Sequence, residues 1–164
     1  MMVQLIGVTI VMKRNLIFII GFFGFIVDLI TKLLVSNLLV LDASNVIIDN
    51  FFYLTYTHNY GAAWSIFTGN IYFLIIVGIL IIGFMLYYIA KNKVSNIWQI
   101  LGYGLFLGGA FGNIVDRIVN GYVTDFLDFR FGNYYFPIFN VADIGIVIGV
   151  FLLLIDTFRR GKND

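Results

Sequence analysis

The stretch from Gly108 to Asp143 gathers ionisable groups that the rest of the chain avoids. Asp116, Asp125, Asp128 and Asp143 lie in it, out of 9 acidic residues, all of them aspartate. Two aspartates held close together can hydrolyse a peptide bond without a metal or a thiol. Like charges a few ångströms apart cannot both ionise cheaply, so one pKa falls, the other rises, and the pair shares a proton. The ionised member draws a proton from water while the protonated one polarises the scissile carbonyl. Asp125 and Asp143 suit this work best. The first falls in a connection, read as a loop, and the second at a helix start, so they can face each other across a gap. Which is acid and which is base stays open, because such a pair titrates as a unit. Asp128 reads as a surface residue near Asp125.

The chain that must position them is far more apolar than a soluble protein, with 61% hydrophobic and 12% charged residues over 164. It reads as a single integral membrane domain over residues 1–164. A net charge of +1 gives no case for nucleic acid. The absence of cysteine excludes disulfides, thiolate metal sites and a cysteine nucleophile, and the single histidine, His58, excludes an all-histidine zinc site. No metal and no cofactor are required.

Four apolar segments can be drawn, near residues 15–34, 71–90, 97–119 and 140–158, each close to the ~20 residues that cross a ~30 Å hydrocarbon core. Lys13, Arg14, Lys91, Lys93, Arg159, Arg160 and Lys162 fall on one side of this arrangement, and only Lys32, Arg117 and Arg130 on the other. By the positive-inside rule both termini are cytoplasmic, and the connections 35–70 and 120–139 lie outside. Lys13 and Arg14 before an apolar run imitate a secretory signal. No small-residue cleavage site follows, so a retained first helix is expected. Residues 1–12 read as a possible non-native extension, with Met12 as an alternative start. Phe51 to His58 is rich in aromatic and β-branched residues at strand length, which predicts a short β element lying on the membrane.

Depth brings four aspartates together. Asp116 and Arg117 come near the outer end of the third segment, Asp143 only ~5 Å below the start of the fourth, and Asp28 in the outer third of the first. Each also has a plainer role. Asn140 and Asp143 have the spacing of a capping box. Asp116 can pair with Arg117, or hold it while its guanidinium grips a substrate backbone or headgroup. Asp28 and Lys32 can form an ordinary i,i+4 pair with the lysine snorkelling outward. Gly104, Gly108 and Gly112, like Gly145 and Gly149, suit close helix packing, which would bring Asn113 near Asp143. His58 and Ser65 with an aspartate lack the nucleophile elbow of a serine triad.

Together these residues resemble the lipoprotein signal peptidase (signal peptidase II) family of bacterial membrane aspartyl proteases. Asp28-Leu-Ile-Thr-Lys32 matches its first block and His58-Asn-Tyr-Gly-Ala-Ala-Trp64, which contains Asn59 and Gly61, its second. Gly108 to Arg117 with Val123-Thr-Asp-Phe126 matches the third, and Phe136 to Asp143 the last. The resemblance implies four transmembrane helices with a small extracytoplasmic β cradle and both termini inside. It implies Asp125 and Asp143 as catalytic dyad, with Asn59, Gly61, Asn113, Asp116, Arg117 and Asn140 around substrate and dyad, and Asp28 and Lys32 in support. It further implies prolipoprotein substrates carrying a diacylglyceryl cysteine, cut just before that cysteine in the bacterial inner membrane. A small transporter or channel with an outer carboxylate site is the rival reading. It would need charge running through the membrane, and the inner halves of spans two to four read as free of it. An assembly protein packing through its glycines is a second rival.

Overall fold

The computed structural model describes residues 2–62, 66–92 and 94–161, with side chains from Val11 onward. Four helices and a four-stranded sheet make up the chain: α1 (Met2–Leu38), β1 (Ser44–Ile48), β2 (Phe52–Asn59), α2 (Ile71–Lys91), α3 (Ile97–Asn120), β3 (Val123–Phe131), β4 (Tyr134–Tyr135) and α4 (Val141–Arg160). α2, α3 and α4 fall where the apolar segments predict them, whereas α1 begins at Met2, well before the expected residue 15. Across Val11–Leu38, α1 is long and apolar enough to cross a membrane, as are α2 and α4. The third helix is different in kind. It carries Gln99, Asn113 and Asp116 buried on its surface together with glycines, because its faces meet protein.

Glycine sets how closely that central helix is approached. A Cβ on Gly108 would run into the backbone of Gly21 on α1, and one on Gly109 into the carbonyl of Ala142 on α4. Small residues at a crossing let backbones touch, which is how helices associate where lipid removes the hydrophobic drive. Only Ile89 of α2 is buried, and α2 turns an almost wholly apolar surface outward.

The sheet runs β1-β2-β3-β4, and every neighbour is antiparallel. Asn50, at φ 57, turns β1 into β2, a conformation asparagine tolerates better than most residues. Between Leu54 and Thr57 the register with β3 shifts by one residue, a bulge on β2. Gly121 ends α3 with φ 81, where a side chain would be strained, and lets β3 fold back over the helix end. Val35 of α1 packs with Tyr56 and Phe126, joining bundle and sheet.

The opposite end of the bundle is tied by basic residues. Lys13 donates to the Ser95 carbonyl at 2.6 Å and Arg14 to the Ala90 carbonyl at 2.8 Å. Arg160 reaches Ser95 at 2.7 Å and Asp156 at 3.2 Å. Lys93 and Lys162, used above for orientation, lie outside the described residues, as do Trp64 and Ser65.

Candidate active site

Asp28 and Lys32 stand one turn apart on α1, so their side chains meet, with Nζ 2.8 Å from the carboxylate. The lysine does not snorkel. It is buried and turned inward, where Nζ also lies 3.0 Å from Asp116 and 3.0 Å from the Asn113 side-chain oxygen. Gly112 makes this possible, since a Cβ there would strike the Asp28 carboxylate. The other Asp28 oxygen accepts the Ala142 backbone N–H at 2.9 Å, linking α1 to the first turn of α4.

On α3, Asn113, Asp116 and Arg117 divide their attention. Asp116 accepts the Thr124 backbone N–H at 3.1 Å besides its bond to Lys32, so it does not pair with Arg117. Neighbouring helix residues point about 100° apart, which explains why the two part company. Arg117 donates to the carbonyls of Gly61 at 2.8 Å and Asn113 at 3.2 Å, and its buried Nε has no partner among the described residues.

Asp125 lies on a strand rather than a loop. The run Val123-Thr-Asp-Phe-Leu-Asp-Phe-Arg-Phe131 carries the β-branched and aromatic enrichment of a strand, which is the signal that could have located it. Its carboxylate accepts from the Asn59 amide at 2.8 Å and from the Asn140 amide at 2.7 Å. Asn59 is itself held by the Gly61 N–H at 2.9 Å. Burial, with the Asp143 carboxylate second, pushes Asp125 up to about 7 from an ordinary 3.8.

Asp143 fulfils both roles considered for it. The capping box is complete: its N–H donates to the Asn140 side chain at 2.9 Å, and its own carboxylate accepts the Asn140 N–H at 3.1 Å. The remaining oxygen accepts from the Asn113 amide at 2.7 Å. The cap therefore orients the carboxylate and leaves it in the site. Neither Asp125 nor Asp143 forms a salt bridge among the described residues.

Both carboxylates face one cavity of about 730 Å³. Its polar floor holds Asn59, Asn113, Arg117, Asp125 and Asp143, and its apolar wall is built from Phe136 to Phe139 and from Ile144, Val147 and Ile148 along α4.

Two further readings of the sequence are corrected. Asp128 is not a solvated surface residue: it is buried, bonded to Thr55 at 2.7 Å and paired with Arg130. The half of α4 away from the sheet is not free of charge, because Asp156 is buried there between Asn96 and Arg160. Since those two groups occupy it, Asp156 closes that end of the bundle. His58 stacks on Tyr122 at 3.5 Å between centroids and shares a hydrogen bond with Tyr56, and burial lowers its pKa.

Residues 20–159 match the family model described as Signal peptidase (SPase) II. A lipoprotein signal peptidase of Bacillus pumilus is 39% identical over 146 residues, covering 89% of this chain and 94% of that protein. One of Haemophilus influenzae is 41% identical over 145 residues, covering 85% and 84%. A solved bacterial membrane enzyme, determined by the in meso method at 2.3 Å, superposes with a TM-score of 0.83 at 34% identity over 89% of both chains. A second, at 1.9 Å, gives 0.76 at 35% identity, covering 85% of this chain and 90% of that one.

Proposed function

Because the chain belongs to the signal peptidase II family, and so is an intramembrane aspartyl peptidase that processes lipoprotein signal peptides, we propose that Asp125 and Asp143 are its catalytic dyad. The observation that carries this is that two aspartates, Asp125 buried on β3 and Asp143 half-buried on α4, enter one cavity surrounded by amide donors and, among the described residues, without a salt bridge. A cation between them would hold both as anions. Amides stabilise charge yet leave room for one shared proton.

Asp125, pushed up to about 7, carries that proton, and Asp143, whose carboxylate accepts the Asn140 N–H and the Asn113 amide, is the member that takes a proton from water. A water placed between them loses a proton to Asp143 as its oxygen attacks the scissile carbonyl carbon. Asp125 gives its proton to the carbonyl oxygen, forming a neutral tetrahedral diol. In collapse Asp143 passes its proton to the leaving nitrogen as the C–N bond breaks, while one diol hydroxyl gives its proton to Asp125 and becomes the carbonyl of the new carboxyl group. Arg117 lines the same cavity, and its guanidinium is a donor for a substrate carbonyl.

The substrate is a prolipoprotein with a diacylglyceryl cysteine, cut just before that cysteine. Its signal helix lies along the apolar wall of α4 with the acyl chains in the bilayer, so that remote binding holds the bond at the dyad. The fourth crossing is α3, shielded from lipid by its neighbours. Both termini are cytoplasmic, supported by Lys13, Arg14 and Arg160 gathering at the end away from the sheet. The dyad then sits at the outer leaflet of the inner membrane. Purified protein is expected to cut a lipidated prolipoprotein peptide, and Asp125→Asn and Asp143→Asn to abolish cutting. Cleavage that survives either change would refute the assignment.

A further inference from the structure

One buried charge takes no part in bond making. The ammonium of Lys32 has three donors and no acceptor, and all three are spent: on Asp28 at 2.8 Å, Asp116 at 3.0 Å and the side-chain oxygen of Asn113 at 3.0 Å. The last contact differs from the others, because an amide has two ends of opposite polarity. With its oxygen on Lys32, and on the Asn140 amide at 3.2 Å, Asn113 has only its NH₂ left to present to Asp143.

Three asparagines surround the dyad, and each must point its NH₂ inward. A backbone N–H from Gly61 fixes Asn59, and the Asp143 N–H fixes Asn140. No backbone group among the described residues does this for Asn113. We infer that Lys32 is a positioning residue that fixes the polarity of the Asn113 amide, so that Asn113 donates to Asp143. Turned over, the amide would set its NH₂ against an ammonium and its oxygen against a carboxylate, so both contacts would be repulsive. The inference rests on the dyad reading above. The charged and titratable groups around this point are Asp28 and Lys32 on α1, Asp116 and Arg117 on α3, His58 on β2, Asp125 on β3 and Asp143 on α4.

Lys32→Met alone would strand two buried carboxylates, so the test uses the charge-balanced pair Asp28→Asn/Lys32→Met. The cluster then keeps its single net negative charge. Comparison with Asp28→Asn alone separates the loss of the Asp28 carboxylate from the loss of the Lys32 donor to Asn113. Cleavage of the lipidated peptide is measured as kcat and KM against pH, with a melting curve for each variant. Asp28→Asn is expected to retain kcat within about fivefold. The double variant is expected to lose kcat by about tenfold to a hundredfold at little-changed KM. Its acid limb should move up by about one pH unit, because an ionised carboxylate has lost a donor. A folded double variant with the native pH profile overturns the inference, and so does a fall in kcat with an unmoved acid limb. If that pair does not fold, Lys32→Met/Asp116→Asn offers the same charge balance and the same readout. Failure of the dyad reading itself shows separately, as activity in Asp143→Asn with Lys32 intact.

Discussion

Asp28 and Asp116 share a lysine, whereas Asp125 and Asp143 share only amides. Both pairs are drawn from separate elements, and Asn113 touches both groups. Their electrostatics differ in kind. The lysine between Asp28 and Asp116 engages both carboxylates in ion pairs, and neither lines the cavity. Amide donors support one negative charge and leave the second carboxylate to burial, which favours its protonated form. What neutralises a buried acid therefore separates the pair that holds the bundle from the pair that can move a proton.

The comparison breaks most completely at the dyad. Asp125→Asn or Asp143→Asn should lower kcat by at least about a thousandfold, since each removes a group that exchanges protons with substrate or water. The melting temperature should hardly fall, and its pH dependence should change. Asp125 has a folded pKa raised to about 7, so its contribution to stability is fully present below its ordinary 3.8 and is lost as pH rises through about 7. The native protein should melt lower at pH 8 than at pH 5, and Asp125→Asn should flatten that slope. An unchanged slope would place the proton elsewhere.

At the other pair the larger effect should be on stability. Asp28→Ala leaves the Ala142 N–H without its acceptor and Lys32 with one fewer counter-ion, at a cost of about 3 kcal/mol. Reversible unfolding in detergent would measure it. If Asp28→Ala melted normally but lost kcat by a thousandfold, the division between the pairs would be wrong. Between these extremes lies Gly109→Ala, whose methyl meets the Ala142 carbonyl and must push α4 outward. A shift near 1 Å in Asp143 is expected to cost about a hundredfold in kcat.

The apolar segments and their caps are legible in the sequence because helix length, hydropathy and the Asn140 to Asp143 spacing act locally. The glycine repeats are legible as packing, although Gly109, which makes the close approach to α4, falls outside the four-residue repeat. The proposed dyad is legible as a pair of types and depths, and the family resemblance is what gives Asp143 a proposed catalytic role beside its role as a cap. Less can be seen where partners are backbone groups: nothing in the sequence marks the Thr124 and Ala142 N–H groups as the ligands of Asp116 and Asp28. Asp156 escapes notice because its partners, Asn96 and Arg160, come from the ends of two helices. The sheet is half visible, since aromatic density marks β2 while Asp125, Asp128 and Arg130 make β3 resemble a polar loop.

Asp128→Asn should have the smallest effect, and it tests whether burial alone makes an aspartate catalytic. Asp128 is buried like Asp125 on the same strand, but three residues on, so strand alternation turns it to the opposite face. There Arg130, stacked on Tyr53 at 3.8 Å, and the Thr55 hydroxyl hold its charge. Burial would raise its pKa, yet the bonds to Arg130 and Thr55 outweigh it and bring the pKa below the ordinary value. The stability it supplies is thus present above that ordinary value and is lost as pH falls through the lower folded one. Replaced by asparagine, the position keeps an acceptor for Thr55 and loses only the ion pair. Activity on the lipidated peptide should stay within about threefold of native, while melting below about pH 4 should become less sensitive to pH. A hundredfold loss in kcat with native melting would mean that the carboxylate on the opposite face of β3, and not Asp125, performs the chemistry.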